Sequence, residues 1–599
     1  MSIRSRRFMA ITLAMACLLG IALPAKSADM AKTLRVAFRD AETGFDPQAV
    51  SDIFSYAVIG AIFDPLYAYD YFARPVRLTP NTAAALPEVT DEGRTYTIKV
   101  KPGIYFASDP AFKGKRRELT ADDYVYSIKR IFDPKVRSYW VYFFEGNLVG
   151  LDDALAAARK GGALDYGAKI EGLQAIDRYT LRIRFQRPNY GFEWWLANPQ
   201  LAAVAHEVVD AYKDGSNRVM ENPVGTGAYR LKAWTRGQRI VLEANPDYRE
   251  DIFPAPGPGS TAADAAMAKG LIGRKLPLVG NVDISIIEEA QPQLLAFDSG
   301  KLDYYVMDPP TLAPNVLRGT ELKPEYAKRG VVLHREIEPA ISFLFFNLDN
   351  PLVGGYTPEK LALRRAISMG YDRATAIAQL LNGQGIPATQ LVPPSLYGHD
   401  PKYVARYGYD PVAARALLDK FGYKDRDGDG VRELPDGKPL TIVLASTTDT
   451  AARARDELWK RNMDALGLRV TFLKNKWPEL NKMSEAGQLM MWGLGWTSGV
   501  PDGSDFYSYF YSKNIGTSND AHMRLPAFDA LYEKSRRFPD GPQRTAIFDE
   551  MNDLVFNYAP WILTYYPIKN VLAQPWLKGY KLNTFVEQQW RYLDVGAHP

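Results

Sequence analysis

Two short apolar stretches, residues 440–444 and 468–472, flank a helix-length run at 451–466. Strands joined through a helix of that length pair in parallel with a right-handed crossover, whereas two antiparallel strands need only a tight turn. A parallel pair must be covered on both faces, so this segment excludes an all-β sandwich and a purely helical bundle and predicts an α/β architecture. Residues 341–348 add a continuous apolar run, the pattern of a strand buried on both sides. At 599 residues the chain exceeds what one hydrophobic core organises, and two or three domains are expected.

The first half reads differently. In 95–100, Tyr96, Ile98 and Val100 alternate with polar residues, a half-buried strand. Thr120 then caps a helix whose first turn holds Asp122 and Asp123, with Val125, Ile128 and Ile131 as the buried stripe and Pro134 as the stop. Tyr179, Leu181, Ile183 and Phe185 mark a second alternating strand, and 239–244 a third, after the turn Gly225-Thr226-Gly227. Further helices are predicted over 359–369, ending before Gly370, and from Asp410-Pro411 onward. Aromatic side chains crowd 492–511.

The N-terminus sets the compartment. Arg4, Arg6 and Arg7 precede an uncharged apolar stretch at 8–23, Pro24 breaks it, and Ala25, Ser27 and Ala28 follow. That is the tripartite pattern of a secretory signal peptide over 1–28, too short for a spanning helix. The only cysteine, Cys17, lies inside it, so cleavage removes disulfides, thiolate metal sites and cysteine nucleophiles together. Arg4, Arg6, Arg7 and Lys26 also leave, taking the formal net charge from +4 to zero. Acidic and basic residues are interspersed elsewhere, so nucleic acid is not an expected partner.

Motifs of catalysis and cofactor binding fail one by one. His206-Glu207 begins like a zinc-protease helix, but position 210 is Asp. No G-x-S-x-G elbow and no P-loop occur, and Gly225-x-Gly227 lacks the third glycine of a dinucleotide site. No cofactor is expected. The one metal-like pattern is Asp425, Asp427 and Asp429 before Gly430, which matches the front half of a calcium loop. Position twelve of that loop is Asp436 after Pro435, where a bidentate Glu is expected, and a solvated acidic turn is the simpler reading.

A string of short motifs carries a resemblance over nearly the whole chain. In order they are Phe45-Asp46-Pro47, Phe63-Asp64-Pro65-Leu66, Leu119-Thr120-Ala121-Asp122-Asp123-Tyr124 and Asn222-Pro223-Val224-Gly225-Thr226-Gly227. Asn245-Pro246-Asp247-Tyr248, Leu363-Arg364-Arg365-Ala366-Ile367-Ser368 with Tyr371-Asp372-Arg373, Gly495-Trp496 and Ala559-Pro560-Trp561 complete it. The sequence resembles the bacterial extracellular solute-binding proteins of family 5, the dipeptide, oligopeptide and nickel class.

The resemblance implies a two-lobed periplasmic-binding-protein fold, a Venus flytrap of the large type with an extra subdomain in lobe one. Lobe one would comprise 29–340 and 566–599, with the subdomain at about 80–215, and lobe two 341–565, the chain crossing near Ile341 and Tyr566. It also implies a monomeric periplasmic protein, not an enzyme, that encloses a small organic solute or peptide and hands it to permease subunits of an ABC importer. An exported hydrolase and a ligand-binding partner of a membrane sensor are the alternatives.

The wall of the binding site is expected around Trp496, Thr497, Ser498, Gly499, Asp502 and Asp505, with Trp492 more readily assigned to the core. Peptide-binding members of the family carry, three residues after this tryptophan, an aspartate that pairs with the peptide ammonium. Here that position is Gly499, so a free α-amine requires Asp502 or Asp505 to take over. No histidine cluster supports a nickel role.

Overall fold

The computed structural model describes residues 28–144, 146–308, 310–403, 407–586 and 589–597. The signal segment 1–28 therefore lies, apart from Ala28, outside the described residues.

Three main sheets form a two-lobed α/β molecule. The first has the order Asp29–Phe38, Val279–Ile286, Arg239–Ala244, Tyr229–Thr235, with the first pair parallel and the others antiparallel. The second is an antiparallel four-strand sheet, Glu88–Thr90, Thr95–Lys99, Thr180–Arg184, Leu173–Asp177. Tyr96, Ile98, Leu181 and Ile183 are buried on one face, as their alternation predicts. The helix Ala121–Phe132 packs on it, buried through Tyr124, Ile128 and Ile131, whereas Val125 is only partly covered. Asp123 does more than favour the helix dipole: its carboxylate accepts from Thr120 N at 2.8 Å and receives Arg117 Nη2 at 2.6 Å.

The third sheet has eight strands and contains the predicted parallel unit: Thr441–Ser446 pairs with Arg469–Lys474, and the helix Thr450–Asp464 crosses between them. Its spine is the long strand Trp561–Ala573. The first part of this strand pairs with Ala340–Phe346, its middle with Gly385–Pro387 and its last part with Val332–Ile337. The only residues between Val332–Ile337 and Ala340–Phe346 are Glu338 and Pro339. The chain thus runs through this region twice, side by side.

Several of the sequence motifs turn out to be internal clamps. Arg130, fully buried, holds Asp46 at 2.9 and 2.6 Å, fastening the Phe45-Asp46-Pro47 segment to the helix Ala121–Phe132. Charge-assisted bidentate pairs of this kind fix geometry as well as charge. Arg364 donates to the carbonyls of Val353, Gly355 and Tyr558, and Arg373 to those of Leu563 and Ser368. Burial among uncharged partners, carbonyls and for Arg373 also the Ser368 hydroxyl, draws both guanidinium groups down to about 10. Gly225 and Gly227 are needed for close approach: a Cβ on them would lie 2.1 and 2.6 Å from the Ile62 carbonyl oxygen at the end of the helix Ile53–Ile62.

Candidate functional site

The expected site lies at the end of the strand Met491–Thr497. This strand is antiparallel to Ala340–Phe346 along its whole length, but Thr441–Ser446 flanks its other edge only at Met491 and Trp492. From Gly493 onward that edge has no neighbouring strand among the described residues. Gly493, Gly495 and Thr497 are exposed, leaving the backbone there uncovered. The two tryptophans differ accordingly: Trp492 is buried, while Trp496 is 36% exposed.

The following loop divides the expected residues into two groups. Ser498 and Asp502 are committed to the protein itself. The Ser498 hydroxyl donates to the Val500 carbonyl at 2.7 Å, and its amide donates to Pro339 O at 2.9 Å. The buried Asp502 carboxylate takes Arg544 Nη1 at 2.9 Å and Nη2 at 3.2 Å, and the Ser504 amide at 2.8 Å. Arg544 also donates to Asp540 at 2.6 Å.

Trp496, Thr497, Gly499 and Asp505 are the ones left facing outward. Asp505 is half-buried and accepts a hydrogen bond from Trp496 Nε1 at 3.0 Å. Burial, and then the nearby Asp502, push its carboxyl up to about 6 against the opposing effect of hydrogen bonds with the Trp496 and Ser498 side chains. No ion pair among the described residues includes Asp505. The Trp496 ring lies 5.2 Å from that of Tyr509.

Residues from the first half of the chain lie against this loop, and sequence reasoning had not picked them out. A Cβ placed on Gly499 would sit 3.5 Å from Trp195, whose ring in turn packs 4.4 Å from Phe143. One on Gly191 would lie 3.1 Å from the Asp502 carboxylate. Tyr139 and Tyr142, 63% and 52% exposed, stand on the turn before Phe144. Loss of solvent and then the Asp505 charge raise the Tyr142 phenol. Glu193 is raised by burial, with Asp502 adding to it, while Tyr96 donates to it at 3.2 Å. The signal available in the sequence was the density of rings at 139–144 and 192–195.

The acidic loop is separate. Carboxylate oxygens of Asp425, Asp427, Asp429 and Glu433 lie within 4.8 Å of one another, so the fourth member is Glu433, while Asp436 pairs with Lys438 at 2.8 Å. Oxygen donors of this kind suit a hard cation. The carboxylates are nevertheless already engaged: Asp425 accepts the Gly428 and Gly430 amides, Asp427 the Asp429 amide, Asp429 the Val431 amide and Arg469, and Glu433 the Arg426 amide. Among the described residues the four histidines stay apart from one another: His206 pairs with Glu207, His522 with Asp349, His399 meets the Val392 carbonyl, and His334 packs on Tyr580, where burial lowers it to about 4.

Mixed α/β sheets in two lobes, with the chain passing twice side by side between them, give the architecture of a clamp-type solute-binding protein. The chain belongs to the bacterial extracellular solute-binding proteins of family 5: the sequence model of that family's middle region matches residues 77–518. It is 24% identical over 583 residues to the di/tripeptide-binding protein 2 of Pseudomonas aeruginosa, covering 94% of this chain and 95% of that one. It is 22% identical to the heme-binding protein A of Haemophilus influenzae, over 83% and 81% of the two chains. The solved structure of HbpA2 from Haemophilus parasuis shares the fold, with a TM-score of 0.73 at 18% identity, covering 94% of this chain and all of that one. No helix of the described residues is long and apolar enough to cross a membrane.

Proposed function

We propose that this protein is the periplasmic capture component of an ABC importer, closing on a peptide or peptide-like solute and delivering it to permease subunits in the membrane. In this reading the jaws are 29–340 with 566–599, and 341–565, the subdomain at about 80–215 is part of the first jaw, and the hinge is formed by Glu338-Pro339 and the middle of the strand Trp561–Ala573. The observation that carries it is the approach of Gly499 to Trp195, residues far apart in sequence and assigned in this reading to different jaws, with the Phe143 ring beside Trp195. The open edge of Met491–Thr497 supports a ligand with an extended backbone, because bare strand edges take up such chains through main-chain hydrogen bonds. The di/tripeptide-binding relative points the same way.

Such a clamp works by population shift: a solute must touch both jaws to favour the closed form. Moving the equilibrium from 1:99 to 99:1 takes about 5.5 kcal/mol of differential binding. Catalysis is not part of this reading: the Ser498 hydroxyl is bound to a backbone carbonyl, and His399 and His522 have other partners. Small-angle scattering against a library of peptides, opines, sugars and bile acids tests the proposal. A fall in the radius of gyration with one solute class supports it; chemical conversion of any compound, or an unchanged profile throughout, overturns it.

A further inference from the structure

We propose that Glu193 on the first jaw, facing Asp502 and Asp540 on the second, acts as a proton-controlled charge spacer, so that the solute-free clamp closes more readily in acid than in alkali. The inference rests on the two-jaw reading above and adds a regulation of the jaws that needs no solute.

The geometry is a shortage of positive charge where two distant parts of the chain meet. Arg544 holds Asp502 at 2.9 and 3.2 Å and Asp540 at 2.6 Å. The turn before the short helix Phe192–Trp195 lies against this group, since a Cβ on Gly191 would sit 3.1 Å from the Asp502 carboxylate. Glu193 follows two residues later and is half-buried. No ion pair among the described residues includes it. It accepts the Tyr96 hydroxyl at 3.2 Å, which orients the carboxylate without neutralising it.

With every acid ionised, one guanidinium therefore faces three carboxylates. Asp502 takes both of its terminal nitrogens, which leaves Glu193 and Asp540 short of countercharge. In the two-jaw reading these two belong to opposite sides, Glu193 to 29–340 and Asp540 to 341–565. Like charges brought together where water is displaced repel more strongly than in solvent, and each regains its hydration when the jaws part. A protonated carboxyl carries no such cost, so the contact seen here is easier to make once Glu193 is neutral. The Asp540 side chain is 40% exposed, so solvent screens its part and Glu193 has the larger one.

The groups facing Glu193 are Tyr96 on the strand Thr95–Lys99, Tyr67 on the strand Tyr67–Tyr69, Tyr190 in the preceding turn and Asp502 from the other jaw. Those facing Asp540 are Asp502, Arg544 and Glu193, and Asp505 adjoins Asp502 from the same jaw. Burial raises the phenols of Tyr67 and Tyr96, so neither titrates near neutrality. The Glu193 carboxyl is raised by burial, with Asp502 adding to it. Asp540 is pushed up to about 6 by burial and then Asp502, with Arg544 opposing and Glu193 adding from across the contact. A carboxyl that holds its proton more tightly in the closed form favours closure below its raised value and loses that effect as pH rises through it. For each pKa unit by which closure raises such a group, the open-to-closed ratio changes about tenfold.

The test uses the full mature protein without solute, and small-angle scattering at about pH 5 and about pH 8 in matched ionic strength, where screening is equal. Wild type is compared with Glu193→Gln, Asp540→Asn and the double variant, and thermal melts check that each is folded. The expected result is a smaller radius of gyration for wild type at the lower pH. Most of that shift should be lost in Glu193→Gln, and the double variant should be compact at both pH values. A wild-type profile that is the same at both pH values overturns the spacer. So does a shift that survives in the double variant, or a double variant that stays expanded throughout. Glu193→Asp, which keeps the charge, should keep the shift, and its loss there while the fold is intact also overturns the charge argument. A mixture of dipeptides that contracts the protein at neither pH overturns peptide capture and leaves the spacer, read without solute, standing.

Discussion

Arg544 holds Asp502 with both terminal nitrogens, at 2.9 and 3.2 Å, and both side chains are buried. That pair anchors the loop bearing Gly499 and Asp505 to the helix Pro542–Tyr558, so the outward-facing residues are presented from a fixed base. The Arg544 guanidinium also lies over the rings of Tyr397 and Phe548, 5.4 and 5.0 Å from their centres.

Removing one partner should expose the cost of the other. Arg544→Met leaves Asp502 buried and unpaired, and the unfolding free energy should fall by about 3–5 kcal/mol. Adding Asp502→Asn to that variant should recover part of the loss, because the stranded charge is gone. Urea denaturation of the two variants and wild type measures both steps, and a double variant no more stable than the single one contradicts the burial argument.

Gly499 should be the residue at which closure can be blocked without unfolding. Its missing Cβ is in ordinary contact range of Trp195 at 3.5 Å, so Gly499→Ala should close normally. Gly499→Leu pushes three more carbons toward the indole. The ligand-free protein should keep its melting temperature, since the position is exposed, while solute affinity falls more than tenfold and scattering shows no contraction.

The two glycines of the 222–227 motif invite a harsher outcome. A Cβ at Gly225 meets the Ile62 carbonyl oxygen at 2.1 Å, and the obstacle is backbone. Gly225→Ala should therefore cost about 3 kcal/mol or more, read as a loss of soluble, cooperatively unfolding protein.

That motif also marks how far the sequence could be read. Where a pattern is local, the elements were legible: alternation in 95–100, the cap at Thr120, and the parallel unit at 441–474 follow from side-chain period and turn chemistry alone. The glycines at 225 and 227 were visible as a turn, but the helix end they pack against lies at Ile62, and nothing in their own neighbourhood says so. The site shows the same division. Trp496 and Asp505 could be named from the family pattern and the aromatic crowding. Trp195, Tyr142 and Gly191 could not, because they come near this loop only through tertiary packing. Which aspartate is free depended on Arg544, a residue that no motif indicated.

Asp505 should leave a pH signature in stability even without a solute. Its folded carboxyl titrates at about 6, raised by burial and by Asp502, against 3.8 in the unfolded chain. Between those values the folded form binds the proton and the unfolded form does not, so this group's contribution is full below about pH 4, declines as pH rises and is lost above about 6. Other carboxylates, such as Asp594 beside Lys32 and Arg274, are lowered by their partners and slope the opposite way, at lower pH. The informative quantity is therefore the difference between wild type and Asp505→Asn: across pH 4 to 6 the variant should gain stability relative to wild type, then run parallel to it above 6. Thermal melts of both proteins in buffers of matched ionic strength measure it, and a difference that is flat across that window would mean Asp505 titrates as an ordinary solvent-exposed carboxylate.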